Sequence, residues 1–163
     1  MEVANPMYLG VELCILDARL EIPRRIHQSA AYDLHLCSID GTPLDFGSRW
    51  SEYLLKPGET VRAGTGIALS LAPQNLCGLV LPRSGLGCRG IAPANSPGLI
   101  DPDYQGEIMV CLHNFSTDPA VLFPLQRIAQ LLFLQPFHPN FQSVAQFSLN
   151  STRGGSGFGS TGV

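Results

Sequence analysis

Lysine is nearly absent from this 163-residue chain, and basic residues never form a run. The arginines are scattered or sit inside short motifs, so no surface that tracks the phosphates of DNA or RNA is signalled, and no polymeric nucleic-acid partner is expected. The five cysteines, Cys14, Cys37, Cys77, Cys88 and Cys111, include no CxxC pair. Their odd number does not suit a secreted disulfide scaffold, which leaves free thiols in a reducing compartment as the expectation. No stretch of about 18 or more uninterrupted apolar residues occurs, and Met1 to Gly10 has neither a basic n-region nor an apolar h-region. A soluble, intracellular protein without a membrane partner is expected. His27, His35, His113 and His138 lack ligand spacing, so no metal is assigned to them. No internal repeat is present.

What is abundant points to one architecture. With 45% hydrophobic residues, the length fits a single domain with a proper core. Glycine at 17 and proline at 13 favour short strands joined by tight turns. Apolar segments of strand length recur at Leu13–Leu16, Leu34–Ile39, Gly66–Leu71, Cys77–Leu81, Ile108–Leu112, Ala120–Phe123 and Ile128–Leu134. Between them lie turn signals at Lys56–Glu59, Ala72–Asn75, Ser96–Gly98 and Asp118–Pro119. The expected fold is all-β, as a sandwich, jelly roll or barrel. The polar segment Asp40–Glu52, which carries Trp50, reads as a surface loop or an extra hairpin.

Three places concentrate chemistry. The glycine-rich tail from Arg153 to Val163 has linker composition, yet it carries Arg153 as a planar fork for phosphate, Ser160 and Thr161 as hydroxyl donors, and Phe158 as a stacking ring. In Leu81–Gly87 an arginine and a serine, Arg83 and Ser84, precede Gly85, so guanidinium, hydroxyl and backbone N–H groups can converge on one phosphate. This is not a P-loop, because no Lys-Ser/Thr pair follows. Gly98–Glu107 is hairpin-like and holds three carboxylates and Tyr104. Asp103 and Glu107 read as solvated turn residues. Asp101 follows the apolar Leu99-Ile100 pair, so partial desolvation and raised basicity are expected of it, which makes it a general-base candidate.

In order and spacing, Ala30–Leu34, Pro82–Gly87, Gly98–Glu107, Arg127–Gln130 and Arg153–Gly162 resemble the five motifs of the trimeric dUTPases. Ala31 departs from the glycine usual in the first motif, and Asp40–Glu52 is longer than in compact members. The resemblance implies a jelly-roll-type β-barrel over residues 1–152 with residues 153–163 as a lid, and hydrolysis of dUTP to dUMP and pyrophosphate. It implies a homotrimer whose sites are shared: Asp33, Arg83, Ser84 and Gln130 from one subunit, the Asp101 hairpin from a second, the Arg153 tail from a third. Asp101 would activate the water that attacks the α-phosphorus. Mg²⁺ would coordinate the phosphates, with Asp33 holding its water shell. Arg83, Ser84, Gly85, Gln130, Arg153, Gly159 and Ser160 would surround the triphosphate. Backbone of the hairpin from Asn95 through Gly98, Leu99 and Ile100 to Met109 would pair with uracil's edge. Tyr104 would pack on the deoxyribose and Phe158 on the base.

Two alternatives stand beside this reading. A dCTP deaminase-like enzyme shares the fold and the phosphate machinery, but Asp101, Tyr104 and the Phe158 tail favour phosphate hydrolysis. A catalytically silent relative could instead offer Thr161-Gly162-Val163 as a ligand for PDZ-type domains. A zinc-type deaminase is excluded, since its His-x-Glu and Pro-Cys-x-x-Cys signatures are missing.

Overall fold

In the computed structural model, which describes residues 10–48, 51–149 and Gly154, the chain folds almost entirely into strands. These are β1 (Glu12–Ile15), β2 (Tyr32–His35), β3 (Ser38–Ile39), β4 (Thr42–Pro43), β5 (Tyr53–Leu55), β6 (Thr60–Ser70), β7 (Cys77–Pro82), β8 (Ile91–Pro93), β9 (Gly98–Ile100), β10 (Glu107–Asn114), β11 (Ala120–Leu122) and β12 (Arg127–Leu134). Among the described residues the only helical pieces are a 3-10 turn at Ala72–Gln74 and one α-helical turn, α1, at Ser84–Gly87. The fold is all-β of jelly-roll type.

β6 is the spine of one sheet, ordered β4-β3-β6-β10-β8. β10 runs along one edge of β6, while β3 and β1 share the other in succession, opposite Ala63–Gly64 and Ile67–Ser70. A second sheet runs β2-β12-β7-β9, and β5 pairs with β11 in a small third. Period-2 burial along β10 sends Ile108, Val110, Leu112 and Asn114 inward. They join Leu34, Leu36, Leu55, Ile91, Leu122, Ile128 and Leu131, each no more than 2% exposed, in one core. The buried amide of Asn114 donates to Leu55 O at 3.0 Å and Asp118 O at 2.8 Å and accepts from Ser116 N and Oγ, so its burial leaves no orphan polar atom.

Of the two readings of Asp40–Glu52, surface loop or extra hairpin, its first residues belong to a hairpin that begins just before it: β3 and β4 turn through Asp40 (φ 49°) and Gly41 (φ 81°), two left-handed residues that match the twist of a tight hairpin. Trp50 lies outside the described residues. Leu34–Ile39 divides into β2 and β3 rather than forming one strand, and the segment before Gly66 is also strand, which lengthens β6.

Glu107 corrects an expectation. It is not a solvated turn carboxylate: its Oε1 accepts the Gly66 N–H at 2.7 Å where the β6–β10 register slips between Glu107 and Met109. Gly66 has φ 69°, and a Cβ there would fall 2.8 Å from Asp17, Leu20 and Cys37 side chains. Only glycine lets the 16–20 segment close on this bulge. That segment is fastened by Arg19, which pairs with Asp17 at 2.5 Å and also donates to the carbonyl of Leu44. Hydrogen bonding from Arg19 holds the Asp17 carboxyl down at about 2, and burial pushes the neighbouring Cys37 thiol up to about 12.

Candidate active site

Three adjacent strands build the site. On β12, Gln130 stands opposite Asp33 of β2 on one side and Leu81 of β7 on the other. β7 ends at Pro82, and the chain turns through Arg83, still extended at φ −89° and ψ 135°, into α1. Asp33 and Gln130 therefore stand side by side, and Arg83 and Ser84 enter at the open end of β7.

The carboxylate of Asp33 is the hub. Arg83 Nε donates to its Oδ1 at 2.7 Å and Arg127 NH1 to its Oδ2 at 3.2 Å. The Asp33 side chain is 19% exposed and that of Arg127 46%, so the Arg83 arm is the more desolvated of the two. Gln130 Nε2 donates to Pro82 O at 2.9 Å, which fixes the amide and aims its oxygen away from β7. Around these groups opens a cavity of 460 Å³, lined by Arg24, Ser29, Ala31, Asp33, Arg83, Ser84, Gly85, Arg127 and Gln130 along with Ile26. Three guanidiniums against one carboxylate leave it positive, and a planar fork, a hydroxyl and glycine backbone suit phosphate oxygens.

A second cavity of 460 Å³ adjoins it, shares Arg83, Gly85 and Arg127, and adds His35, Arg89, Leu125 and Gln126. Arg89 Nε donates to Gly85 O at 3.2 Å. Burial holds His35 below the ordinary imidazole range; Asp33 opposes that shift while Arg127 and Arg83 add to it. The larger apolar cavity, 580 Å³ between Leu13, Ile67 and Phe133, contains none of the candidate residues. Tyr32 and Phe133 meet edge to face beside it at 5.6 Å, as lining rather than as contacts for chemistry.

The hairpin stands apart. β9 pairs through Gly98, Leu99 and Ile100 with Val80, Leu79 and Gly78 of β7 and closes the sheet as an edge strand. Beyond it, Tyr104 N donates to Asp101 O at 3.2 Å, and Tyr104 Oη donates to Glu107 O at 2.8 Å. Asn95, Gly98, Leu99, Ile100, Asp101, Tyr104 and Met109 are absent from the lining of the Asp33 cavity. Asp101 is exposed, which corrects the expectation of a partly desolvated carboxylate. The physical reason is the edge: only Ile100 packs on the core, Leu99 points outward at 59% exposure, and the chain leaves the sheet at Asp101.

Within one chain the structure brings together Asp33, Arg83, Ser84, Gly85 and Gln130, and it does not bring Asp101 to them. Arg153, Phe158, Gly159 and Ser160 lie outside the described residues. Sequence reasoning did not single out Arg24, Ser29 and Arg127 as site residues. Arg127 was findable, since it opens the motif that ends in Gln130; Arg24 had only its neighbours Pro23 and Arg25 as a signal.

The donor set also bears on Mg²⁺. No group of three or more Asp, Glu, His or Cys side chains able to hold a metal exists among the described residues. A single carboxylate whose two oxygens each keep lone pairs beyond their arginine bonds fits an ion that retains its waters and takes its other ligands from phosphate.

Comparison with known proteins gives the family. The dUTPase family model matches residues 44–162. The deoxyuridine 5'-triphosphate nucleotidohydrolase of Neisseria meningitidis is 40% identical over 161 residues, covering 96% of this chain and 99% of its own length. That of Psychrobacter is 43% identical over 148 residues, 90% of this chain and 89% of its own. Among solved structures, a mutant dUTPase of Staphylococcus bacteriophage 80alpha with dUpNHpp superposes with a TM-score of 0.76 at 22% identity over 94% of this chain and 99% of its own. A dUTPase from phage phi11 of S. aureus, described with a structural Mg(II) ion, gives 0.70 at 18% identity over 86% of this chain and 100% of its own. With a family model over most of its length and relatives of that identity along nearly all of it, the chain belongs to the dUTPase family.

Proposed function

We propose that this protein hydrolyses dUTP to dUMP and pyrophosphate at sites that three copies of the chain build together. The observation that carries the reading is the division just described: a positive cavity around Asp33 and Arg83, and a carboxylate hairpin presented to solvent outside it.

In this reading Arg83, Ser84, the Gly85 backbone and Gln130 hold the triphosphate, with Arg127 setting Asp33 against Arg83. These fixed donors neutralise charge that grows on the departing pyrophosphate. Asp33 would hold Mg²⁺ through its waters, and the ion would supply further charge neutralisation there. Asp101, from another copy, takes a proton from the water that attacks the α-phosphorus; its exposure in the single chain ends when the neighbouring surface covers the hairpin. The outer edge of β9 is unpaired among the described residues, so its peptide N–H and C=O groups are free to meet uracil's edge. Cytosine reverses donor and acceptor at its fourth position and would leave those groups unpaired. The exposed Tyr104 ring bars a ribose 2'-hydroxyl.

A second copy is also invited by chemistry outside the site. After β12 the chain runs without strand or helix through Phe137, Phe141 and Phe147, which are 94%, 95% and 88% exposed. Three aromatic side chains left to water support this part of the reading, since a second copy of the chain would cover them. Residues 153–163 act as the lid, with Arg153, Gly159 and Ser160 on the phosphates and Phe158 on the base. No helix of the described residues is long and apolar enough to cross a membrane.

Pyrophosphate release from dUTP, dCTP, dTTP and UTP, with Mg²⁺ and after chelation, tests the reading. Release from dUTP alone, strongly reduced by chelation, is expected. Equal turnover of dCTP, or indifference to chelation, overturns the assignment of base recognition or of the metal respectively.

A further inference from the structure

Tyr104 does not lie free on the hairpin. Its hydroxyl donates to the main-chain oxygen of Glu107 at 2.8 Å, and the ring rests over Gly106. A Cβ on Gly106 would fall 2.6 Å from Tyr104 Oη, 2.7 Å from Cζ and 3.1 Å from Cε2. All three contacts are to the ring and its hydroxyl, so a side chain at 106 requires the ring to shift from the place where its hydrogen bond holds it. Gly106 is not among the positive-φ glycines, so alanine suits its backbone and only the ring has to move. Glu107 in turn is anchored from behind, through its Oε1 and the Gly66 N–H at 2.7 Å, so the acceptor that receives the hydroxyl is part of the sheet rather than of a loose turn.

We propose that Gly106 is a specificity-determining positioning residue: the room left by its missing side chain, closed off by the anchored Glu107 carbonyl, sets the Tyr104 ring where it rejects a ribose 2'-hydroxyl. This rests on the reading of Tyr104 as the sugar guard. Gly106 itself touches no substrate and acts only through the ring.

The test is the ratio of kcat/KM for dUTP to that for UTP in four proteins: Tyr104→Ala, Gly106→Ala, the double variant and Tyr104→Phe. Gly106→Ala should lower the ratio at least about tenfold, toward the Tyr104→Ala value, while dUTP turnover falls less. The double variant should match Tyr104→Ala, because a residue that works only through another adds nothing once that other is gone. Tyr104→Phe, which keeps the ring over Gly106 and removes one hydrogen bond, should lower the ratio about two- to tenfold. A Gly106→Ala protein with the parent ratio, beside a Tyr104→Ala protein that has lost it, overturns the role of Gly106 and leaves the guard reading intact. Additive losses in the double variant overturn it as well, since they mark a merely structural glycine. If Tyr104→Ala itself keeps the parent ratio, the guard reading fails and the inference falls with it.

Discussion

Asp33 and Asp101 are the two carboxylates on which the proposed chemistry turns, and their surroundings differ in kind. Asp33 sits mid-strand on β2 against β12, holds two arginines and is largely buried. Asp101 follows an edge strand and is exposed, with its backbone oxygen, rather than its carboxylate, engaged in the turn. The phosphate-holding half is thus organised by one chain before any ligand arrives, whereas the water-activating half has position without environment. Preorganised donors favour the transition state because they need not reorient; a base without its enclosure awaits a partner surface.

The largest effect should come from the open half. Asp101→Asn should lower single-turnover hydrolysis by about a hundred- to ten-thousand-fold while dUTP affinity changes little, because it removes a base and keeps the shape. Activity within a few-fold of the parent would transfer the role to Asp103. Next in size is Arg83→Ala, which withdraws the phosphate fork and leaves Asp33 to Arg127 alone. KM for dUTP should rise about ten- to a hundredfold, with a smaller change in kcat, and a steady-state comparison checks the split.

Arg127→Ala should weaken dUTP binding by about tenfold or less, since this arm is half exposed and water screens it. Calorimetric titration of Arg127→Ala, Asp33→Ala and the double variant tests whether the arginine acts through Asp33. Additive losses would show that it reaches the phosphates independently. Outside both halves, Asp17→Asn should leave kcat/KM within about twofold and lower stability by about 1.5–3 kcal/mol, the range for a hydrogen bond to a charged group. The Asp17 carboxyl is lowered from 3.8 to about 2, so its contribution is complete above pH 3.8 and is lost as pH falls toward 2. Acid unfolding followed by fluorescence should therefore lose part of its steepness in that window in the variant.

Legibility in the sequence followed the same divide. Cys77–Leu81 and Ile128–Leu134 are readable as strands because both faces are apolar, and they became β7 and β12, the frame of the Asp33 half. Asp33, Arg83, Ser84 and Gln130 were legible through the dUTPase resemblance. The Arg127–Asp33 bond joins residues 94 positions apart and depends on register between β2 and β12, which periodicity does not specify. The exposure of Asp101 was misread because Leu99-Ile100 resembles a buried pair; at a sheet edge, alternation turns Leu99 to solvent. Glu107 was misread for a related reason, since the glycine whose N–H it takes lies 41 residues away.

The shared site is the central claim, and one complementation experiment reaches it directly. Chains lacking Arg153 to Val163 and chains carrying Asp101→Asn, each nearly inactive alone, are unfolded together, reassembled and assayed for pyrophosphate release from dUTP. If base and tail reach each site from different subunits, about one site in three of every mixed trimer receives an intact Asp101 and an intact tail, and activity returns. If mixed trimers are shown to form and activity stays at the level of the parents, base and tail belong to the same chain, and the site is not shared in this way.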